Sequence, residues 1–423
     1  MTRHPAGDLI GVIADRLAHP DTAPAECRSQ DGWRQSLAHG IPGIALLHIE
    51  LASAGLRPWQ RAHDWLAAAT GAPITSGTDS HPYYGAPALA HALACAADRL
   101  PGAYGRTLEA LDRQIVTDTH HRVAAAHHRI DLGQAPALAE FDALRGLTGY
   151  GAYLLRRDPD GDALQATLGH LVRLTHPITL NGETVPGWWT PSGPSGRLDG
   201  RFPDGHANNG SAHGITGVLS LLSIAARRGI TVDGQLDAVR TICAWLDRWK
   251  TETDQGPAWP YWVTRDELRA GRPHPPKPQR PSWCYGAAGL GRAQQLAALA
   301  IGDTDRQHTV EKALIAALTD PAALAATTDI SLCHGFAGLA HVAARAASDA
   351  TPETAGQLHA LVPALLGAVH PPDADANHTV TALLDAEGGG PGLLDGAAGV
   401  ALAALTTTTS SFSSTWDTCL LTS

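Results

Sequence analysis

The sequence has little positive charge. Lysine occurs only at Lys250, Lys277 and Lys312 in 423 residues, and the formal net charge is -10. Because binding to a phosphate backbone depends on a basic patch or stripe, this balance argues against nucleic acid as a partner. The chain also lacks a run of eighteen apolar residues and a start typical of a signal peptide. We therefore expect a soluble, cytoplasmic protein without an integral membrane segment.

Cysteine is also scarce. The six cysteines are spread along the chain without the dense framework of a disulfide-stabilised secreted protein, and none forms a C-x-x-C pair. Cys95 and Cys243 lie in apolar helical segments, where a thiol usually packs as a small hydrophobic group. Cys284 in "SWCYGAAGL" and Cys333 in "LCHGFAGLA" differ, because each adjoins glycines at the start of an apolar segment.

These two segments are copies of an internal repeat. Its pattern is glycine, two residues, glycine or another small residue, and then an apolar helical stretch. The first glycines of the seven copies are Gly40, Gly85, Gly146, Gly214, Gly286, Gly335 and Gly396. Amphipathic segments such as 235–250 lie between the copies, so each unit is interpreted as a helical hairpin. The sequence predicts an all-α fold, an α/α toroid of seven inner and seven outer helices, in a single domain over 1–423.

The repeated glycines require a geometric reason. Glycine in a helix is less favourable than alanine by roughly 0.5–1 kcal/mol, so its use at the start of every inner helix must answer a structural need. We expect close approach of backbones and positive φ angles in the turns that lead into these helices.

Residues 175–205 interrupt the repeat. An Asn181-Gly182 turn signal stands between β-prone segments and is followed by many prolines and glycines, which predicts a small strand-containing insert. Trp188 and Trp189 in this insert could contact a peptide or could form a hydrophobic plug. A second proline-rich loop, 271–281, leads into the first cysteine segment.

The residues just before the inner helices are candidates for a metal site. If the starts of the inner helices converge around a central cavity, then Cys284, Cys333 and His334 meet there. Two thiolates and an imidazole suit one Zn²⁺ ion, and three protein ligands leave a fourth position open for water or a substrate thiolate, as in catalytic zinc sites. The alternative is that the cysteines are buried packing residues and His334 is a hydrogen-bonded loop residue.

Five segments together resemble the lanthionine synthetase C-like (LanC-like) family, in type the stand-alone cyclases of class I lantibiotic pathways. They are "SWCYGAAGL", "CHGFAGLA", "NNGSAHGITGVLS", "FDALRGLTGYGAYLL" and "WDTCLL". The resemblance covers nearly the whole chain and implies an α/α toroid with one zinc ion. It also implies an enzyme that closes (methyl)lanthionine thioether rings. In this reaction a cysteine thiolate adds to dehydroalanine or dehydrobutyrine in a dehydrated precursor peptide.

The resemblance also implies site residues. Cys284, Cys333 and His334 match the family's zinc ligands, His213 and Asp142 match its acid/base residues, and Arg280 and Tyr285 match its active-site arginine and tyrosine. The chemistry is suitable, because a permanently charged arginine can stabilise an enolate oxygen and a histidine can transfer protons near neutral pH. The alternatives are that Asp142 caps its helix and that His213 is a core or loop histidine. His39, Tyr84 and Asp395 occupy similar leading positions.

Partners and rival functions follow from the same reasoning. Glycine-led repeats begin near residue 40, so we expect a separate dehydratase, and a transporter, as partners in a biosynthetic complex. One rival is a LanC-like zinc protein that adds a small thiol such as glutathione to dehydroamino acids. The other is a non-catalytic peptide-binding scaffold, which the joint presence of the candidate ligands and acid/base residues disfavours.

Overall fold

The computed structural model describes residues 5–253, 256–274, 279–385, 389–408 and 415–423. The predicted loop 271–281 is therefore described only in part. The described helices are α1 (Pro5–Arg16), α2 (Ala25–Arg28), α3 (Ile41–Ser53), α4 (Trp59–Ala69), α5 (Ala86–Arg99), α6 (Gly105–Asp131), α7 (Leu138–Phe141), α8 (Leu147–Arg157), α9 (Asp162–Leu174), α10 (Ile215–Arg227), α11 (Gln235–Trp249), α12 (Arg265–Ala270), α13 (Ala287–Ile301), α14 (Thr304–Thr319), α15 (Pro321–Ala325), α16 (Phe336–Asp349), α17 (Pro352–Val369), α18 (Ala376–Leu384) and α19 (Ala397–Thr408). Within these ranges, none of the helices has the length and hydropathy needed to cross a bilayer.

The seven glycine-led helices are present as predicted. Helices α3, α5, α8, α10, α13, α16 and α19 each begin at the residue after the first glycine of a repeat. They are buried nearly all round; in α3, for example, every residue from Ile41 to Ala52 is buried. The helices between them are amphipathic. In α11 the buried face includes Val239, Ile242 and Leu246, while Asp237 and Arg240 pair on the exposed face.

The chain divides into two compact units. The first comprises 1–115, 327–347 and 356–417. Within it, α3 packs against α4, α5 and α19, and α1 packs against α18 and α19. The second unit comprises 116–326, 348–355 and 418–423. Within it, α10 packs against α8, α11 and α13, and α13 also packs against α14. The single domain over 1–423 stays a prediction.

Short antiparallel strands occupy the predicted insert and continue beyond it. β1 (Ile178–Leu180) pairs with β2 (Glu183–Val185), and the connecting Asn181 and Gly182 both have positive φ, 54° and 79°, as a two-residue hairpin turn of type I′ requires. β3 (Trp189–Thr190), β4 (His206–Asn208) and β7 (Trp262–Thr264) form a second sheet in the order β3-β4-β7. β5 (Thr251–Thr253) pairs with β6 (Gly256–Ala258).

The Trp188-Trp189 pair is part of the core. The two side chains are 2% and 1% exposed, and the ring of Trp188 packs edge-on against Trp245 at 5.3 Å. Of the two roles considered for this pair, the burial favours the hydrophobic plug.

Close backbone approach is the main reason for the repeated glycines. A Cβ atom at Gly286 would clash with the backbone nitrogen of Ser282, and one at Gly289 would clash with the carbonyl group of Trp283. Among the seven first glycines only Gly85 has a positive φ, 76°. The expectation of positive φ in these turns is therefore wrong at the other positions, where the turn folds back so tightly that a side chain does not fit.

Candidate active site

The turns that precede the glycine-led helices are joined to each other by main-chain hydrogen bonds. In the second unit, the amide of Ala143 donates to the carbonyl of Ala212 at 3.1 Å, and the amide of Ser211 donates to the carbonyl of Cys284 at 2.8 Å. In each bond the amide comes from the third residue before a first glycine, and the carbonyl comes from the second residue before the next one. Three turns that carry predicted site residues are thereby fixed side by side.

The first unit uses nearly the same register. The main-chain bonds are Leu37 N to Tyr83 O (2.9 Å), Leu393 N to Ala38 O (2.7 Å) and Cys333 N to Leu394 O (2.8 Å). The last bond is shifted by one residue, because here the amide belongs to the second residue before the glycine. The residue pair Cys333-His334 is thus anchored through the backbone amide of Cys333.

Asp142 and His213 form a close pair in the second unit. The Nδ1 atom of His213 lies 2.7 Å from Oδ2 of Asp142, which is only 1% exposed. The other carboxylate oxygen accepts the backbone N–H groups of Arg145 at 2.6 Å and Gly146 at 2.9 Å, at the start of α8. Asp142 thus pairs with His213 and holds the turn that precedes α8. The N-cap of α8 is Gly146 and no side chain caps this helix, so the alternative that Asp142 is a helix cap is wrong. Because a carboxylate accepts, it holds a proton on Nδ1 of His213 and leaves Nε2 able to accept one.

Tyr285 lies beside this pair. Its ring centroid is 6.3 Å from that of His213, and its hydroxyl oxygen accepts a hydrogen bond from the side-chain amide of Asn208 at 3.3 Å. The neighbouring Cys284 is 6% exposed, and its thiol donates to the hydroxyl of Ser282 at 3.5 Å. The Cys284 backbone packs closely against Gly210. A Cβ atom at residue 210 would lie only 2.7 Å from the Cys284 carbonyl oxygen, so this contact requires glycine.

Arg280 lies in the segment before Cys284 and is half-buried. Its carbonyl accepts a hydrogen bond from the hydroxyl of Tyr261 at 3.1 Å, and the ring of Tyr261 lies 5.6 Å from that of Tyr285. Burial raises the pKa of Tyr261 to about 12, although the positive charge of Arg280 opposes the shift. Arg280 therefore adjoins the aromatic group around Tyr285.

Several residues of this aromatic group are not predicted from the sequence. Trp262 lies edge-on to Tyr285 at 6.1 Å, and Phe202 packs against Trp262 at 5.3 Å and against His206 at 4.9 Å. None of these residues leads a glycine-led helix, so the repeat pattern gave no signal for them. The dipeptide Asn208-Asn209 within the motif "NNGSAHG" is the sequence feature that could have pointed to this region.

In the first unit, two carboxylates flank His334. The Nε2 atom of His334 lies 3.4 Å from Oδ2 of Asp329, and its Nδ1 atom lies 3.6 Å from Oδ1 of Asp395. The other oxygen of Asp395 is 3.9 Å from Nδ1 of His39. The leading residue Asp395 therefore lies between His334 and His39. Carboxylates near a metal-binding imidazole are typical, because they orient the ring and its proton.

A cavity of about 530 Å³ opens beside His334. Its lining includes Asp329, Asp395, Ile330 and Leu383, which combine an acidic rim with apolar wall. Pockets for small ligands and peptide side chains typically have volumes of about 300–1,000 Å³, so this cavity has room for part of a peptide.

The side chains of Cys284, Cys333 and His334 form a group that could hold a metal ion. Their candidate ligand atoms all lie within 4.8 Å of one another. In a tetrahedral zinc site with ordinary bond lengths, sulfur and nitrogen ligands are roughly 3.5–3.8 Å apart. The donor set, two thiols and one imidazole, is the one expected for zinc.

The chain is similar in sequence and in fold to known proteins. Residues 31–421 match the family model described as lanthionine synthetase C-like protein. A curated relative, the nisin biosynthesis protein NisC of Lactococcus lactis subsp. lactis, is 24% identical over 206 residues, which are 48% of this chain and 48% of NisC. The matched segment therefore spans about half the length of that relative.

The solved structure of a nisin cyclase shows the same fold. It superposes with a TM-score of 0.78 at 20% sequence identity, over 98% of this chain and 96% of the other. The predicted fold class, an all-α toroid with small strands, is confirmed by this likeness. The family match extends over nearly the whole sequence. The chain therefore belongs to the lanthionine synthetase C-like family.

Proposed function

We propose that this protein is a zinc-dependent peptide cyclase. It adds cysteine thiolates of a dehydrated precursor peptide to dehydroalanine or dehydrobutyrine and so forms lanthionine or methyllanthionine rings. The observation that carries the proposal is the grouping of Cys284, Cys333 and His334 within 4.8 Å in a chain of the LanC-like family. The similarity to proteins called nisin biosynthesis protein and nisin cyclase supports the same reaction.

Cys284, Cys333 and His334 are the proposed ligands of one zinc ion, with a fourth position for water or substrate thiolate. A free cysteine thiol has a pKa of about 8.5, so little of it is thiolate at neutral pH. Zinc at this site would lower the pKa of an incoming thiol and hold the resulting thiolate. Three protein ligands, rather than four, are the usual number where a metal binds a reacting group.

His213 is the proposed base. Its Nε2 atom takes the proton of the incoming thiol, and the Asp142 carboxylate, 2.7 Å from Nδ1, stabilises the imidazolium that results. The sulfur then bonds to the β-carbon, and the alkene electrons move to form an enolate. Protonation of the α-carbon from Nε2 returns the histidine to its first state, so the addition consumes no net proton.

Arg280 and Tyr285 are proposed to stabilise the enolate oxygen. A guanidinium group is permanently charged, and a phenol hydroxyl donates a hydrogen bond without changing its own charge. Donors aimed at an oxygen on which negative charge develops commonly contribute about 10²–10³ in rate each. Tyr285 directly follows the proposed ligand Cys284 in the chain, and its ring lies 6.3 Å from that of the proposed base His213.

The substrate is proposed to be the peptide itself, with part of it in the cavity beside His334. The lining of that cavity is polar at Asp329 and Asp395 and apolar at Ile330 and Leu383, which suits a mixed peptide segment. A separate dehydratase would supply the dehydrated residues, and a transporter would export the product. These partners and the cytoplasmic location are predictions from the sequence.

Incubation of the purified protein with a dehydrated precursor peptide tests the function. Ring closure removes free thiols and leaves the peptide mass unchanged, so thiol alkylation followed by mass spectrometry distinguishes substrate from product. We expect Cys333→Ala and Cys284→Ala to lose both bound zinc and cyclisation. Cys243→Ala is the matched control. Cys243 is 2% exposed and burial raises the pKa of its thiol to about 11, so it is a packing residue.

The same assay separates the rival functions. A protein that adds a small thiol would increase the peptide mass by one glutathione when glutathione is present, and a scaffold would bind the peptide without consuming its thiols. Cyclisation by Cys333→Ala at the rate of the parent would disprove the proposed metal mechanism.

A further inference from the structure

A buried polar network lies behind Tyr285. It consists of His206 and Asn208, both on β4 and both 0% exposed, together with the Tyr285 hydroxyl. The side-chain nitrogen of Asn208 is 3.3 Å from Nε2 of His206 and 3.3 Å from the hydroxyl oxygen of Tyr285. Because buried polar groups must find partners, the direction of each hydrogen bond in this network can be deduced.

The donors and acceptors of this network can be assigned starting from His206. Its Nδ1 atom lies 2.9 Å from the carbonyl oxygen of Ser192, which can only accept, so Nδ1 carries the proton of the neutral ring. The Nε2 atom of His206 therefore presents a lone pair. The side-chain oxygen of Asn208 is fixed in the same way, because it accepts the backbone N–H of Gly210 at 2.9 Å. The nitrogen of the Asn208 amide must then face both His206 and Tyr285, and it donates to each.

These directions determine what Tyr285 can do. Since Asn208 donates to the hydroxyl oxygen, the hydrogen of the Tyr285 hydroxyl points away from Asn208. It reaches the carbonyl oxygen of Pro194 at 3.4 Å, which is long for a hydroxyl donor, whose bonds are usually about 2.5–3.0 Å. A stronger acceptor placed near Tyr285 can therefore capture this hydrogen at little cost.

We propose that His206 and Asn208 are positioning residues that keep Tyr285 a hydrogen-bond donor to the enolate oxygen of the reacting peptide. The inference rests on the proposed function, since that function supplies the enolate. Asn208 acts directly on the tyrosine, and His206 acts through Asn208 by presenting a lone pair that only a donor can satisfy. Neither residue touches the substrate.

The surroundings of His206 keep its ring neutral, as this role requires. Burial lowers the pKa of His206 to about 4, against the opposing effects of the Ser192 carbonyl and the charge of Asp199. The ring of Phe202 packs against it at 4.9 Å. A protonated His206 would present an N–H group at Nε2 to the N–H group of Asn208, and the network would have to reverse.

Asn208→Asp tests the inference, because it changes the direction of the bonds and not the shape of the side chain. One carboxylate oxygen of the aspartate still accepts the backbone N–H of Gly210. The other oxygen takes the place of the Asn208 amide nitrogen, so an acceptor replaces a donor. Tyr285 then donates to residue 208 and no longer to the substrate. We expect Asn208→Asp to lower the cyclisation rate by about 10²-fold, the same factor as Tyr285→Phe, and the double variant to lose no more than either single variant.

Asn209→Asp is the matched control. Asn209 is the next residue, is also 0% exposed, and its side chain bonds to the Pro260 carbonyl and to the Trp245 indole, both at 2.9 Å, and not to Tyr285. Its substitution should lower the free energy of unfolding and leave the rate per folded molecule unchanged. The inference is overturned if the rate losses of Asn208→Asp and Tyr285→Phe multiply in the double variant. It is also overturned if Asn208→Asp and Asn209→Asp have equal cyclisation rates.

A measurement that does not depend on activity completes the test. In ¹⁵N NMR spectra of histidine-labelled protein, assigned with His206→Gln, neutral His206 should carry its proton on Nδ1, and in Asn208→Asp it should become doubly protonated near neutral pH. A proton on Nε2 in the parent overturns the inference. If Tyr285→Phe cyclises normally while Cys333→Ala does not, this inference fails and the proposed function stands. If the parent itself does not cyclise, the proposed function fails.

Discussion

Replacement of Asp142 by asparagine separates catalysis from stability. Asparagine keeps an oxygen for the backbone N–H groups of Arg145 and Gly146, which lie 2.6 and 2.9 Å from the present carboxylate. It places an N–H group opposite Nδ1 of His213 instead of an acceptor. The imidazole must then carry its proton on Nε2, where it can no longer accept one from a thiol.

The expected loss of stability is much smaller than the expected loss of rate. Hydrogen bonds to a charged group contribute about 1.5–3 kcal/mol and neutral ones about 1 kcal/mol, so weakening the bonds at the start of α8 costs about 1–3 kcal/mol of unfolding free energy. A protein with an ordinary stability of about 5–15 kcal/mol stays folded after this loss. The loss of a general base lowers the rate by about 10²- to 10⁴-fold. The rate should therefore fall far more than the folded fraction.

The assay is the initial rate of thiol loss at saturating dehydrated peptide, with zinc content and urea unfolding measured on the same samples. Asp417→Asn provides the control, because Asp417 is also a buried partner of a histidine, with His341 at 2.9 Å and Arg345 at 2.7 Å, but belongs to no candidate site. Its loss should destabilise the protein by about 3–5 kcal/mol and leave the rate per folded molecule unchanged. A folded, zinc-replete Asp142→Asn variant that cyclises at the parental rate would refute the reasoning.

Two further predictions concern the scaffold. Gly289→Ala should destabilise the protein by about 1–3 kcal/mol in urea unfolding, because its Cβ atom would clash with the Trp283 carbonyl and the Ser211 hydroxyl. Gly291→Ala on the same helix is the control. Its Cβ atom would meet its nearest neighbour at 3.6 Å, so this substitution should be neutral or stabilising. Burial lowers the pKa values of His48, His170 and His206 to about 4, 3 and 4, so the unfolded chain, with histidine pKa values of about 6.5, binds protons first as the pH falls. The free energy of unfolding should decrease below about pH 6.5 by up to about 4 kcal/mol per pH unit, and a constant value down to about pH 5 would contradict this.

The repeated elements could be predicted from sequence because their signal is local. Each inner helix has its glycines, its apolar run and its leading residue within one short segment, so the start of α13 after Gly286 or of α16 after Gly335 could be located without the structure. The choice of Cys284, Cys333 and His334 as candidate ligands rests on the same local signal, their matching positions in two copies of the repeat, and their role as zinc ligands stays a prediction. The geometric reason for the glycines was harder to predict, because it depends on how the preceding turn folds back.

The residues around Tyr285 could not be predicted in the same way. Asn208 and Trp262 are opposite each other only because β4 pairs with β7, and this register is set by contacts between segments distant in the chain. Short strands of three residues give almost no periodic signal. The choice between the roles of Asp142 also required coordinates, since its two carboxylate oxygens serve different partners and the sequence cannot assign them separately.

The main-chain hydrogen bonds between successive turns do not involve the side chains of the residues that lead the inner helices. A bond from Ser211 N to Cys284 O, or from Leu393 N to Ala38 O, does not depend on which side chain either residue carries. A substitution at such a position changes the side chain and keeps the main-chain hydrogen bond. The architecture can therefore keep the bonds between its turns while the side chains at the starts of its inner helices differ.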